Sequence, residues 1–282
     1  MGYNIVQKFG FGEIAMDLLC PICGEALHRE EHAFRCGSGH SFDIARQGYV
    51  NLLPVQHKHS KNPGDTKEQV ASRRRVLDSG CYAPIAEALC RTARELGATG
   101  PILDVGCGEG YYSTRLRDAI GGELVGLDIS KEAVRRAAGS DKDALWLCAT
   151  ASRLPVPEES AGVITSLFAL TIPGEFRRCL RPDGLYFQVL AAEDHLLGLK
   201  SIIYPTLFHR EKENTPDIPG FTRIRTVPIT FSFTVEGQQV QDLLAMTPHV
   251  YRIGKEGARC LAGTQTLTDT ASCILNVYRP DR

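Results

Sequence analysis

The stretch Asp104-Val105-Gly106-Cys107-Gly108-Glu109-Gly110 decides how the chain is read. An apolar run ending in an acid precedes three glycines on alternate positions. Glycine lets the backbone turn tightly after a strand and approach a ligand without a Cβ in the way. The dinucleotide fingerprint needs its third glycine one position later, where Tyr111 stands. No Gly-Lys-Ser/Thr follows, so the loop is not a nucleoside triphosphate cradle. Some twenty residues on, Gly126-Leu127-Asp128 places a carboxylate at the end of a second strand, where it suits the two hydroxyls of a ribose. Asp104, Gly106, Gly108, Gly110 and Asp128 are therefore the candidate residues for an adenosine-containing cofactor.

Outward from this loop the sequence alternates. Strands are expected at 101–105, 123–127, 144–149, 162–168 and 185–190, with helices at 111–119, 131–138, 174–180 and 194–203. Arg181-Pro182-Asp183-Gly184 reads as a turn. Upstream, helical patterning starts near Glu68 and resumes from Tyr82 to about Glu95. Downstream, 223–234 and 271–278 read as strands around a helix at 240–246. Strands alternating with helices predict an α/β fold with a parallel sheet covered on both faces.

A second constellation lies near the N-terminus: Cys20-Pro21-Ile22-Cys23, then Cys36 and His40. Thiolates and imidazole at this spacing suit one tetrahedral zinc ion, and four protein ligands close its shell, so the metal is structural. The segment 20–50 is too small to bury a core unaided. A redox role for Cys-x-x-Cys lacks the usual strand-then-helix context. Residues 1–19 read as a short leader. His28 and His32 read as surface residues, and the remaining seven cysteines as small core residues.

The chain has 282 residues, 43% hydrophobic and 23% charged, with ten cysteines and a formal net charge of −1. That balance excludes a protein that coats nucleic acid indiscriminately. Between His57 and Arg75, however, six cations stand against two acids, which suits a partner bearing phosphates. No apolar run of eighteen residues occurs, and Met1–Val6 lacks the layout of a signal peptide. A cytoplasmic protein without membrane association is expected.

Together the glycine loop and Asp104 resemble the S-adenosylmethionine loop of class I (Rossmann-like) methyltransferases. The resemblance extends along most of the chain. Cys20-x-x-Cys23, Cys36-x-x-x-His40-Ser-Phe-Asp43, Gly48-Tyr-Val-Asn-Leu-Leu-Pro54, Gln56-His-Lys58, Pro63-Gly-Asp65, Arg73-Arg74, Leu77-Asp-Ser-Gly80, Asp104 to Tyr112, Ser152-Arg-Leu-Pro155, Asp194-His-Leu196 and Leu244-Ala-Met-Thr-Pro248 occur in one order. In this combination the chain resembles the RlmA family of 23S rRNA guanine-N1 methyltransferases, which includes macrolide-resistance methyltransferases. The resemblance implies a class I methyltransferase domain behind a small zinc-binding domain. It implies S-adenosyl-L-methionine and one Zn2+ per chain as cofactors, a hairpin in domain II of 23S rRNA as substrate, and a homodimer. The expected division is a zinc-binding RNA-recognition module over 1–50, a linker and basic helix over 51–81, and the methyltransferase domain over 82–282.

By matched position, Tyr82, Tyr112, Ser113 and His195 are implied as cofactor contacts. Guanine N1 carries a proton at neutral pH, so a base or a polarising contact at O6 is required; His195 is a candidate base. The N1 edge is blocked by pairing, so the target must be unpaired or flipped, and Phe168 is the candidate stacking surface. Lys58, Arg73, Arg74 and Arg75 are the candidate phosphate contacts. Two features depart from the pattern. Members carry an aromatic-Ala-Pro segment after the fourth strand, and this chain reads Phe168-Ala169-Leu170. Nor does Ala149–Ser152 hold an acid for the adenine amino group. Two other readings fit the residues less well: a methyltransferase for a small molecule, and a cofactor-binding RNA protein without catalysis.

Overall fold

The computed structural model describes residues 16–54, 63–207 and 213–281. At the front, β1 (Leu18–Leu19), β2 (Ala26–Arg29), β3 (Ala33–Cys36) and β4 (Ser41–Asp43) form an antiparallel meander in sequence order. Its apolar residues are few. Met16, Leu18, Leu27 and Phe34 are buried, and they join one cluster with Val50, Leu145, Leu147, Leu154 and Val156 of the larger unit. The meander thus completes its core by docking, with Leu19 N–H donating to Pro155 O at 2.9 Å. The expected leader differs here: its last residues already belong to β1 and to this core.

β5 (Tyr49–Asn51) leaves the meander and pairs in parallel with β8 (Leu145–Cys148). Residue 50, the expected module boundary, therefore lies inside a strand of the main sheet. After the undescribed stretch come α1 (Lys67–Asp78) and α2 (Ala83–Glu95). Thr66 starts α1 with a reciprocal cap, its Oγ1 accepting from Gln69 N–H while Gln69 Oε1 accepts from Thr66 N–H.

The remaining elements are β6 (Ile102–Val105), α3 (Tyr111–Ile120), β7 (Leu124–Asp128), α4 (Lys131–Ser140), β9 (Ala161–Leu167), α5 (Pro173–Cys179), β10 (Leu180–Ala191), α6 (Leu197–Ile203), β11 (Phe221–Glu236), α7 (Gln238–Ala245), α8 (Lys255–Gly263) and β12 (Thr266–Pro280). Sheet order is β11-β12-β10-β9-β6-β7-β8-β5. The chain moves outward from β6 through β7 to β8, then returns to β9 on the other side of β6. This reversal opens a crevice at the carboxyl ends of β6 and β9, where α/β sheets bind ligands. The glycine loop leaves β6 at that point.

Three expectations change. The sheet is mixed, because β12 runs antiparallel between β10 and β11. From Val227 onward the residues of β11 alternate towards solvent, which suits an antiparallel edge ladder. Arg181–Gly184 is a register shift inside β10. The helix expected from Asp194 starts at Leu197, because Leu196 is left-handed at φ 57°. The cap comes from β12: Asp269 accepts from Gly198 and Leu199 N–H at 2.9 and 2.7 Å. Among the described residues, no helix is long and apolar enough to cross a membrane.

Candidate functional site

The zinc ligands come together at one end of the meander. Cys20, Cys23, Cys36 and His40 each offer a donor atom, and these lie within 4.8 Å of one another. His40 presents Nδ1, 3.6 Å from Cys20 Sγ and 3.3 Å from Cys36 Sγ, and the Cys23–Cys36 sulfurs are 3.6 Å apart. A tetrahedron with Zn–S near 2.3 Å and Zn–N near 2.0 Å has edges of about 3.5–3.8 Å, so the donor set fits this metal. Outside the ligands, Glu25 Oε2 accepts from Ser38 N–H, between Cys36 and His40, at 2.8 Å. It braces the knuckle in the manner of outer-shell groups at metal sites. No spacing rule in the sequence singled it out.

The crevice above β6 holds a cavity of about 510 Å³. Its floor is the glycine loop. Gly106 and Cys107 N–H both donate to Leu127 O, which ties the loop to β7. Gly108 N–H donates to Asp128 Oδ2 at 2.9 Å, and Ser130 N–H donates to Oδ1 at 2.7 Å. Both carboxylate oxygens are thereby aimed by the backbone, each with a lone pair to spare. Gly108 is left-handed at φ 56°, and a Cβ there would meet only Arg73, at 3.7 Å. The open space on that side is a cradle that any side chain would fill. Gly110 has a different cause: at φ 82° its Cβ would fall 2.3 Å from Trp146, so it permits packing beneath the loop.

Asp104 is buried and accepts from Thr165 Oγ1 at 2.7 Å. Burial pushes its carboxyl up to about 6. Burial likewise raises Asp128 above the ordinary carboxylate range, against the two N–H groups that hold it down. Glu109, unremarked in the sequence, is buried with Arg136 at 3.6 Å, and burial pushes it up to about 7. A cavity lined by Asp104, Glu109 and Asp128 suits a ligand that carries positive charge.

The walls are aromatic. Tyr82, Tyr112, Phe168 and His195 all line the cavity, with ring centroids 6.4 Å apart for Tyr82–His195, 6.3 Å for Phe168–His195 and 6.4 Å for Tyr112–Phe168. Ser113 sits apart from them, buried beneath the loop with Oγ 3.4 Å from Gly110 O. His195 Nδ1 accepts from Ser272 N–H at 3.1 Å. The proton then resides on Nε2, so the ring is a donor rather than a proton acceptor on that side. A base role for His195 would need the other tautomer, with Nε2 free of its proton. Phe168 is left-handed at φ 55° and 43% exposed, a costly posture for an aromatic residue.

The basic residues divide. Arg73 lines the cavity and pairs with Asp65 at 2.8 Å. Arg74 is held by Asp78 at 2.7 Å and by Ser140. Arg75 grips the buried Asp242 through both Nε and Nη2, at 2.6 and 2.7 Å. Of the three, Arg73 alone lines the cavity, while Arg75 joins α1 to α7. Lys58 lies outside the described residues. Two walls went unforeseen as parts of the site. Gly64–Asp65 is stapled over the Asp128 side, where Ser130 Oγ donates to Asp65 O at 2.7 Å. The Ala245–His249 segment closes the far side.

Comparison with known proteins follows this division. Residues 18–61 match the family described as "RlmA, N-terminal", and residues 102–184 match "Methyltransferase domain". A 23S rRNA (guanine(748)-N(1))-methyltransferase of Streptomyces fradiae is 41% identical over 187 residues, covering 64% of this chain and 66% of that protein. A protein of Micromonospora griseorubida described as "Putative 23S rRNA (guanine-N(1)-)-methyltransferase" is 38% identical over 203 residues, covering 64% of this chain and 68% of that one. One of Bacillus subtilis with the same assignment is 29% identical over 254 residues, covering 84% and 88%. The matched part thus spans about two thirds of the first two relatives. With its Cys3His ribbon, its methyltransferase cavity and these likenesses, the chain belongs to the RlmA family of 23S rRNA guanine-N1 methyltransferases.

Proposed function

We propose that this protein methylates N1 of a guanine in a domain II hairpin of 23S rRNA. The observation that carries the reading is the pairing, in one chain, of an RlmA-type zinc ribbon with an acid-lined cavity above a Gly106–Gly110 loop. S-adenosylmethionine, when bound, supplies a methyl group already activated on a sulfonium centre.

The chain's own contribution is alignment and exclusion of water. Asp128, aimed by Gly108 and Ser130, holds the ribose hydroxyls. Gly106 and Gly108 let the main chain approach. Tyr82, Tyr112 and the Nε2–H of His195 hold the amino-acid end, and Ser113 supports the loop from below. Asp104 and Glu109 favour the ligand's positive charge. Phe168 stacks on the target guanine, whose N1 lone pair must lie in line with the transferred methyl. Arg73, with Lys58 and Arg74 as further phosphate contacts, meets the RNA backbone.

In this reading residues 1–50 recognise RNA, 51–81 bridge, and 82–282 carry out transfer. The enzyme works as a homodimer in the cytoplasm, where its substrate is made. Light scattering checks the dimer. The decisive experiment incubates zinc-loaded protein with labelled S-adenosylmethionine and unmodified ribosomal RNA, then locates the label by mass mapping and primer extension. Label on N1 of a hairpin guanine is expected. Transfer to small metabolites alone, or cofactor binding without transfer, overturns the reading.

A further inference from the structure

Leu170 is 76% exposed, on the loop that carries Phe168. An exposed leucine is ordinary taken singly. Its setting is not. Phe168 N–H donates to Val189 O at 2.9 Å, and Ser166 Oγ donates to Leu170 O at 3.1 Å. Thr171 shares a 2.7 Å hydrogen bond with Tyr186 and accepts from Gln188 Nε2 at 2.9 Å. The main chain on both sides of Leu170 is therefore fastened to the sheet. Ala169 lines the cavity and packs against the glycine loop, so closely that a Cβ on Gly106 would lie 2.5 Å from its methyl. Leu170, the next residue, stands outside the cavity at its rim. Leu197, 38% exposed, follows cavity-lining His195 by two residues. Phe168 and His195 are ring neighbours, so Leu170 stands two residues from a pair of flat rings that suit a base face.

The target N1 must leave its stack to reach the cavity, and the vacated gap in the RNA costs stacking energy. Proteins that unstack bases insert apolar wedges such as leucine into the step they open. We infer that Leu170 is such a wedge: it enters the gap left by the guanine and holds the base extruded against Phe168. The inference rests on the rRNA methyltransferase reading. It makes Leu170 a positioning residue for the substrate, without contact to the methyl donor.

The test uses full-length, zinc-loaded protein and a hairpin whose methylated guanine has first been located by mass mapping. With 2-aminopurine at that position and S-adenosylhomocysteine present, wild-type protein gives a rise in fluorescence as the base unstacks. Leu170→Ala is expected to lose at least threefold of that amplitude and at least tenfold of the single-turnover rate on the natural hairpin. Leu170→Met retains most of both. With abasic sites on either side of the target, the stack is already broken, and the rate deficit of Leu170→Ala shrinks to within threefold. Full amplitude and rate in Leu170→Ala, or an equal deficit on both RNAs, overturns the wedge. Absence of hairpin methylation by the wild type overturns the functional reading beneath it.

Discussion

The backbone N–H of Ser272, on β12, donates to Nδ1 of His195, in the turn between β10 and α6, at 3.1 Å. That bond ties the ring to β12 and places the proton of the neutral imidazole on Nε2, in a residue that lines the cavity. A hydrogen bond to a charged ligand group contributes about 1.5–3 kcal/mol, so His195→Ala is expected to weaken cofactor binding by about 10- to 100-fold. With Nε2 protonated the ring cannot accept the guanine proton, so the single-turnover rate at saturating cofactor is expected to keep the wild-type pH profile. Titration calorimetry and a pH series check both parts. A profile that loses its acidic limb in the variant would restore His195 as the proton acceptor.

Gly108 and Gly110 are both left-handed, yet they serve different ends. At Gly110 a Cβ meets Trp146 at 2.3 Å, and Trp146 is fully buried in the sheet. Overpacking and the left-handed penalty together put Gly110→Ala at roughly 2–5 kcal/mol of lost stability. At Gly108 the Cβ meets no main chain, so Gly108→Ala loses only about 1–2 kcal/mol. Its methyl instead fills the cradle, and cofactor affinity is expected to fall by an order of magnitude or more. Thermal melts and cofactor titrations on the two variants should rank them in opposite order.

Arg75 and Arg73 form a second contrasting pair. Asp242 is 1% exposed and depends on Arg75 for its counter-charge, although the guanidinium is itself half-exposed. Removing one partner of a buried ion pair costs about 3–5 kcal/mol, and solvent screening at the exposed arginine reduces this to roughly 1–2 kcal/mol. Arg75→Ala should therefore lower the melting temperature while leaving the salt dependence of RNA binding unchanged. Arg73→Ala should do the reverse, reducing the slope of log affinity against log salt by about one. Filter binding across a salt series separates them.

These contrasts show where sequence and structure part company. The loop from Asp104 to Gly110 was legible because its chemistry is local: glycine spacing and a strand-end acid are written in consecutive residues. Cys20, Cys23, Cys36 and His40 were legible for the same reason. The rest depends on partners far along the chain. The late start of α6 is set by Asp269, some seventy residues away. The fate of Arg75 is set by Asp242. β5 belongs to the main sheet because β8 offers an edge, and β12 reverses direction between two strands that lie far from it in sequence. Those pairings leave no local mark, so the sequence of the basic run does not tell that Arg73, Arg74 and Arg75 each pair with an acid, Asp65, Asp78 and Asp242.

Asp104 offers a test by proton linkage. Burial raises its carboxyl to about 6, so in the free protein it is partly protonated below that pH. A ligand with sulfonium and ammonium groups favours the ionised carboxylate, so binding lowers the raised value and releases a proton. The sign follows: through Asp104 alone, affinity rises with pH up to about 6 and levels off above it. At pH 5.5, binding heats measured in buffers of different ionisation enthalpy should reveal net proton release, which shrinks by pH 7.5. Asp104→Asn removes the linked group and should flatten this dependence, with weaker binding throughout. Glu109, raised to about 7, contributes with the same sign at higher pH, so Glu109→Gln is the necessary companion variant. A wild-type affinity that falls between pH 5 and pH 6.5 would mean that neither acid senses the bound charge, and that the cavity floor does not hold a cationic methyl donor.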